Sequence, residues 1–361
     1  MIKANPAVRN IVAVFCLLLS ALAANAAAAH HTYRSRRYIP FNPAQYDATD
    51  YDDPEVRDLA LAALGHVRGS VVAVDPADGR ILTIVDQRMA FGTGFEPCST
   101  IKPVIALAGL KEGAITRDTM IKVGRRRYMD LTEAMAHSNN AYFEEVGARL
   151  GFDVVHRYDT VVGLGQRVGY NIPEEQPGYL PSLPPKFGGV ARMSSFGEGI
   201  RITPFQLAAL ISAFANGGTF YYLQYPRTPA EKENFQARVR QQLDIGGLLP
   251  DIRQGMLAAV QYGTAKRSYD PDGEQDLGKT GTCNDESVGG RLGWFVSYAN
   301  QQHPKIVIVV LLHGGGRTIN GPYASEIAGR IYRGLYERNY FANADTNRNS
   351  PAATLASGSS Q

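Results

Sequence analysis

With 361 residues, 44% hydrophobic and 20% charged, the chain has the size and composition of one large domain or two modest ones built on a real core. Its formal net charge of +3 is too small to point to a nucleic-acid partner.

Residues 1–26 read as a secretory signal peptide. Lys3 and Arg9 precede an apolar run from Ile11 to Ala23, and Ala24-Asn25-Ala26 offers a small-residue cleavage site. Because apolar and small residues continue to Ala29, an uncleaved membrane anchor is the competing reading; spanning a bilayer takes about 20 predominantly apolar residues, and this run is borderline. Either reading places the chain outside the cytoplasm, in a periplasmic or other extracytoplasmic space. Cys16 lies within this segment, so removal of the signal leaves Cys98 and Cys283, a candidate pair in an oxidising compartment. Residues 27–57, with the basic cluster Tyr33-Arg34-Ser35-Arg36-Arg37-Tyr38 and an Asp/Tyr-rich stretch, read as an irregular arm. Residues 341–361 read as a disordered tail, because apolar periodicity is missing there.

Between these ends strands and helices alternate. Ser70–Val74 and Ile81–Val85 are β-branched runs joined by Asp75-Pro76-Ala77-Asp78-Gly79, which predicts a hairpin. Ser99–Leu110 predicts a buried helix with Pro103 in its first turn. Asn140–Leu150 predicts a helix closed by Gly151. Thr203 and Pro204 open another, with Leu207, Leu210, Ile211 and Phe214 as its apolar stripe and Asn216-Gly217-Gly218 as its stop. Asp251–Tyr262 is a further helix. Leu277–Cys283, Trp294–Ala299 and Ile306–His313 predict three strands with short, antiparallel connections, and Ser325–Tyr340 a closing helix. The expected fold class is therefore α/β of the α+β kind. One mostly antiparallel sheet is assembled from both ends of the domain, flanked by helices, with a helical lobe beside it. A cleft between lobe and sheet is the natural place for a site.

Three short segments can carry chemistry. In Ser99-Thr100-Ile101-Lys102, residues three apart share a helix face, so Lys102 sits one turn beyond Ser99. A lysine kept neutral by burial or by a second cation can take the serine proton. Free N–H groups at the helix start favour a developing negative charge. Ser138-Asn139-Asn140 precedes a helix; the bland reading is N-capping, the functional one a Ser138 proton shuttle and an Asn140 amide that bonds a substrate. Lys279-Thr280-Gly281-Thr282 opens a strand, either a gatekept edge or a backbone that a substrate approaches closely. Each alone is a weak signal. His66, His137, His156, His303 and His313 have no metal-binding spacing, Arg125-Arg126-Arg127 reads as a solvated loop, and Trp294 is expected to pack behind the site.

The order S-x-x-K, S-x-N, K-T-G is the general signature of penicillin-binding proteins and class A β-lactamases. Together with Val72-Ala73-Val74-Asp75-Pro76, Phe95-Glu96-Pro97, Phe196-Gly197-Glu198-Gly199 and Gly263-Thr264-Ala265, it makes residues 58–340 resemble the transpeptidase domain of penicillin-binding proteins, with Cys98 where glycine is usual. The resemblance implies a β-lactamase/transpeptidase-like fold and a D,D-transpeptidase or D,D-carboxypeptidase without cofactor or metal. Ser99 would attack a peptide ending in D-Ala-D-Ala and Lys102 would be the base. Ser138 and Lys279 would pass the proton to the leaving D-Ala, Asn140 would bind the substrate amide, and Thr280 and Thr282 would hold the terminal carboxylate beside Gly281. The N–H groups of Ser99 and Thr282 would form an oxyanion hole. Partners would be peptidoglycan stem peptides, β-lactams, which trap Ser99, and cell-wall synthesis proteins. Since Ser99 and Thr282 would converge on one oxyanion, their neighbours Cys98 and Cys283 are expected to form a disulfide. A serine β-lactamase is the alternative, although Ile172-Pro173-Glu174-Glu175-Gln176-Pro177 does not look like the class A glutamate loop, and Asn140 departs from the class D pattern. A sensor that acylates once without turnover is the second alternative.

Overall fold

A computed structural model describes residues 41–50, 52–299 and 304–342. The signal peptide expected at 1–26, the arm up to residue 40 and the tail from 343 lie outside the described residues.

Asp53 caps α1 (Pro54–Leu64), its carboxylate accepting from the N–H groups of Glu55 and Val56. The hairpin β1 (Gly69–Val74) and β2 (Ile81–Val85) and the short α2 (Gln87–Phe91) follow. A 3₁₀ turn at Cys98–Ile101 runs into α3 (Lys102–Lys111). A small ribbon of β3 (Ile121–Lys122) and β4 (Tyr128–Met129) leads to α4 (Leu131–Ala136), α5 (Asn140–Leu150), α6 (Phe152–Val161), α7 (Gly189–Phe196) and α8 (Pro204–Asn216). A second ribbon, β5 (Thr219–Tyr221) and β6 (Val239–Gln242), brackets α9 (Pro229–Glu233) and precedes α10 (Leu249–Gln261). Then come β7 (Asp276–Asp285), β8 (Gly290–Ala299), β9 (Ile306–Gly314) and α11 (Gly321–Glu337).

The five long strands form one antiparallel sheet in the order β2-β1-β9-β8-β7. The N-terminal hairpin thus joins the C-terminal strands, and β7 is an edge. Helices cover both faces, which explains why β1, β2 and nearly all of β9 are buried without alternation, with Ser70 and Thr83 the polar exceptions in the hairpin. One face, through Val71, Ala73, Phe295, Ile308 and Val310, packs on α1 and α11. The other, through Val72, Trp294, Val296, Val309 and Leu311, packs on the helical lobe and α8.

Several expectations shift. Residues 54–57, expected in an irregular arm, are the first turn of α1. Phe341, expected in the tail, is buried. Helix α11 starts at Gly321, capped by Asn320, and ends at Glu337. Helix α8 has the predicted cap, a reciprocal Thr203–Gln206 capping box, and stops at Gly217 with φ 95°. It has no stripe, however, because Pro204–Ala215 are buried all round.

Candidate active site

Two backbone devices aim the site. Cys98 and Ser138 both lie in the left-handed region, at φ 52° and 53°, where residues with a side chain are uncommon. Cys98 turns the chain into the 3₁₀ segment so that Ser99 stands one residue inside a helical start. Ser138 turns the chain between α4 and α5. There the cap falls to Asn139, whose Oδ1 accepts from Tyr142 N at 3.0 Å. Ser138 and Asn140 are thereby left free to face inward.

Lys102 and Lys279 are wholly buried and Ser99 is 8% exposed. Lys102 Nζ lies 2.8 Å from Ser99 Oγ, 2.8 Å from Ser138 O, 2.7 Å from Asn140 Oδ1 and 3.2 Å from Ser138 Oγ. Lys279 Nζ donates to Ser138 Oγ and to Thr280 O, each at 2.7 Å. One serine hydroxyl therefore bridges two buried amines. Burial, and next the neighbouring Lys279, push the Lys102 amine well below the ordinary lysine range, against a weaker opposite pull from Glu144. Burial brings Lys279 down to about 7. A neutral Lys102 has two hydrogens and one lone pair. The carbonyl oxygens of Ser138 and Asn140 can only accept, so they take the hydrogens and leave the lone pair for the Ser99 hydroxyl. With its oxygen committed to Lys102, the Asn140 amide nitrogen is the end left to donate to a ligand.

The third segment lies on β7. Thr280 and Thr282 share one face, as alternate residues do. Their hydroxyls meet Thr264 Oγ1 at 2.6 Å and, accepting, Gly321 N at 2.8 Å. Lys279 and Gly281 turn the other way, toward the Cys98–Ile101 segment. A Cβ on Gly281 would stand 3.1 Å from Pro97 O and 3.2 Å from Thr100 Cγ2, so glycine lets the edge strand lie against the turn that carries Ser99. The expected Cys98–Cys283 disulfide is present and crosses that contact, with Cα atoms 5.7 Å apart. Trp294 backs the same segment, its Nε1 donating to Glu96 O at 2.9 Å.

All eight candidate catalytic and substrate-binding residues are thus gathered where the lobe meets the edge strand. Glu174 and Glu175, in the segment that does not look like the class A glutamate loop, are both engaged in contacts of their own. Glu174 forms a two-pronged ion pair with Arg227, both bonds 2.9 Å. Buried Glu175 accepts from the Val168 and Gly169 N–H groups at 2.8 Å each. Sequence reasoning gave no site role to Thr264, Gly321 or Glu144. The first was visible only within Gly263-Thr264-Ala265, and the other two carry no local signal. No group of three or more His, Cys, Asp or Glu among the described residues is placed to hold a metal. No described helix is long and apolar enough to cross a membrane.

Comparison with known proteins gives the family and the fold. The family described as penicillin binding protein transpeptidase domain matches residues 69–335. Stage V sporulation protein D of Bacillus subtilis is 27% identical over 292 residues, covering 72% of this chain and 45% of that protein. A probable peptidoglycan D,D-transpeptidase, PbpC of Pseudomonas aeruginosa, is 26% identical over 325 residues, covering 76% and 55%. The chain therefore spans about half the length of these curated relatives. Among solved structures, the TP domain of Burkholderia pseudomallei penicillin-binding protein 3 superposes with a TM-score of 0.67 at 19% identity, over 81% of this chain and 94% of that one, a likeness of fold. With the matched region covering most of its length and the three motifs joined by hydrogen bonds through Ser138, the chain belongs to the penicillin-binding protein transpeptidase domain family.

Proposed function

We propose that the chain is an exported peptidoglycan D,D-transpeptidase or D,D-carboxypeptidase that works through an acyl-enzyme on Ser99 and is trapped there by penicillins. The observation that carries this reading is the hydrogen-bonded relay Ser99–Lys102–Ser138–Lys279, with successive contacts of 2.8, 3.2 and 2.7 Å and both amines buried. A serine is a poor nucleophile until a base takes its proton, and Lys102 is the base within reach.

In the first step Ser99 Oγ bonds to the carbonyl carbon of the penultimate D-Ala while its proton passes to Lys102. The oxyanion is received by the N–H groups of Ser99 and Thr282, where losing one donor typically costs about 10²–10³ in rate. Collapse breaks the peptide bond, and the departing D-Ala nitrogen takes a proton relayed from Lys102 through Ser138, whose oxygen Lys279 orients. Thr280 and Thr282 hold the terminal carboxylate and Asn140 bonds the donor's amide. An amine of a second stem peptide, or water, then attacks the ester and restores Ser99.

Release of D-Ala from a D-Ala-D-Ala peptide, with and without an amine acceptor, tests the reading. The expected result is D-Ala release that requires Ser99, diverted in part to cross-linked product when the amine is present. Acylation without any turnover would reduce the chain to a sensor. Rapid consumption of penicillin instead of peptide would make it a β-lactamase.

A further inference from the structure

Past Thr282, the end of the edge strand opens into a recess of about 500 Å³ whose lining includes Asn284, Asp285, Glu286, Arg291, Gly315 and Arg317. The sheet register fixes where it lies. Thr282 pairs with Gly293, Asn284 with Arg291, and Arg291 in turn with Gly314. Alternate strand residues share a face, so Asn284 continues the row of Thr280 and Thr282, about 7 Å beyond Thr282. Arg291 is its cross-strand neighbour on that face. Arg317 comes from the loop between β9 and α11, just before Gly321 beside the Thr282 hydroxyl.

The charges of this recess are unevenly committed. Asp285 is buried and already paired with Arg201 at 3.3 Å, while also accepting from Glu96 N at 3.1 Å. Glu286 is exposed on the hairpin turn. Neither arginine has an ion-pair partner among the described residues, and the Arg291 Nε–H is buried with no acceptor. Two guanidiniums facing one cavity, one with a sequestered donor unused, match a planar oxyanion from outside the chain.

We propose that Arg291 and Arg317 form an anion subsite for a side-chain carboxylate of the acyl-donor peptide, two residues before the residue whose carbonyl is attacked. The assignment rests on the acyl-transfer reading above. With the donor's terminal carboxylate on the Thr280 side, its amino-terminal part runs toward Asn284. A peptide laid along an edge strand repeats on the strand's own spacing. The side chain two positions upstream therefore falls opposite Asn284, and Arg291, paired with Asn284 from the next strand, reaches it with its long side chain on the same face.

The test uses two peptides, Glu-Ala-D-Ala-D-Ala and Gln-Ala-D-Ala-D-Ala, as competitors of fluorescent-penicillin labelling of the purified chain. The wild-type chain is expected to be protected by the glutamate peptide at concentrations about 10- to 100-fold lower than by the glutamine peptide. The Arg291→Gln, Arg317→Gln double variant should bring that ratio to about one, each single variant should lower it, and the corresponding lysine variants should keep part of it. Because each ratio compares two ligands on one protein, general damage to the fold cancels. A wild-type ratio near one, or a ratio that survives both substitutions, overturns the subsite alone. Failure of the folded wild-type chain to label at all overturns the acyl-enzyme reading and the subsite with it.

Discussion

Replacing Cys98 and Cys283 together by alanine removes a cross-link between residues 185 apart in sequence. In the chain-entropy treatment, a loop of that size confines the unfolded chain by about 5 kcal/mol at room temperature, while bridges of this kind typically contribute about 2–4 kcal/mol. The same bridge steadies Cys98, whose φ of 52° costs a residue with a side chain about 1–3 kcal/mol. Without the tie to β7, that backbone is free to relax toward the ordinary helical region and to carry Ser99 with it. The double variant should therefore unfold with about 2–5 kcal/mol less stability and also acylate at least about tenfold more slowly. Urea titration gives the first quantity. The chain's one tryptophan, Trp294, is buried against the nucleophile segment and reports the transition by fluorescence. Timed penicillin labelling gives the second. A loss below about 1 kcal/mol with unchanged labelling would refute the view that the bridge confines both the chain and the nucleophile turn.

Acylation of Ser99 should rise with pH as Lys102 gives up its proton, and level off well below the free-lysine value of 10.5 because burial and Lys279 hold that amine down; labelling rates that fall with pH would contradict this. With Lys279 at about 7 in the folded chain, the unfolded chain binds more protons between there and 10.5, so the contribution to stability grows with pH across that window in urea titrations. Asp159 is wholly buried, neither carboxyl oxygen has a hydrogen-bond partner among the described residues, and burial holds its pKa well above 3.8. Asp159→Asn should therefore stabilise the fold, by a margin that grows up to about 1.4 kcal/mol per pH unit above the free-carboxyl value; an equal stability at acid and neutral pH would count against it. Gly281→Ala pushes a methyl onto Pro97 O and Thr100, an overpacking of about 1–3 kcal/mol that should slow labelling more than it lowers the unfolding midpoint.

What the sequence made legible was whatever has a periodic or turn-coded cause. The Asp75–Gly79 turn, the β-branched runs, the Thr203-Pro204 start and the Gly217 stop are local signals, and each leads to the element it predicts. The three motifs were legible as a set because they recur in one order, and the disulfide followed from the convergence they imply. Other features depend on tertiary context. Helix α8 reads as amphipathic from its leucines, yet the lobe surrounds it with apolar surface on every side. Helix α1 was missed because Asp53-Pro54 sits at the end of an Asp/Tyr-rich stretch that reads as coil, although this pair is itself a cap and first turn. The left-handed turns at Cys98 and Ser138 carry no glycine to announce them. The division of labour in Ser138-Asn139-Asn140, where the middle residue caps and the outer two face the lysines, appears only once both lysines are in place. Asp159 had a faint signal, a carboxylate four residues after Val155 on the buried side of α6.

The most direct test of the central claim is the intact mass of the chain after incubation with penicillin, followed by mapping of the modified peptide. The account predicts a single added acyl group on Ser99, absent from Ser99→Ala and formed more slowly in Lys102→Met. An adduct on another residue, or none on folded protein, would contradict the assignment of Ser99 as the nucleophile.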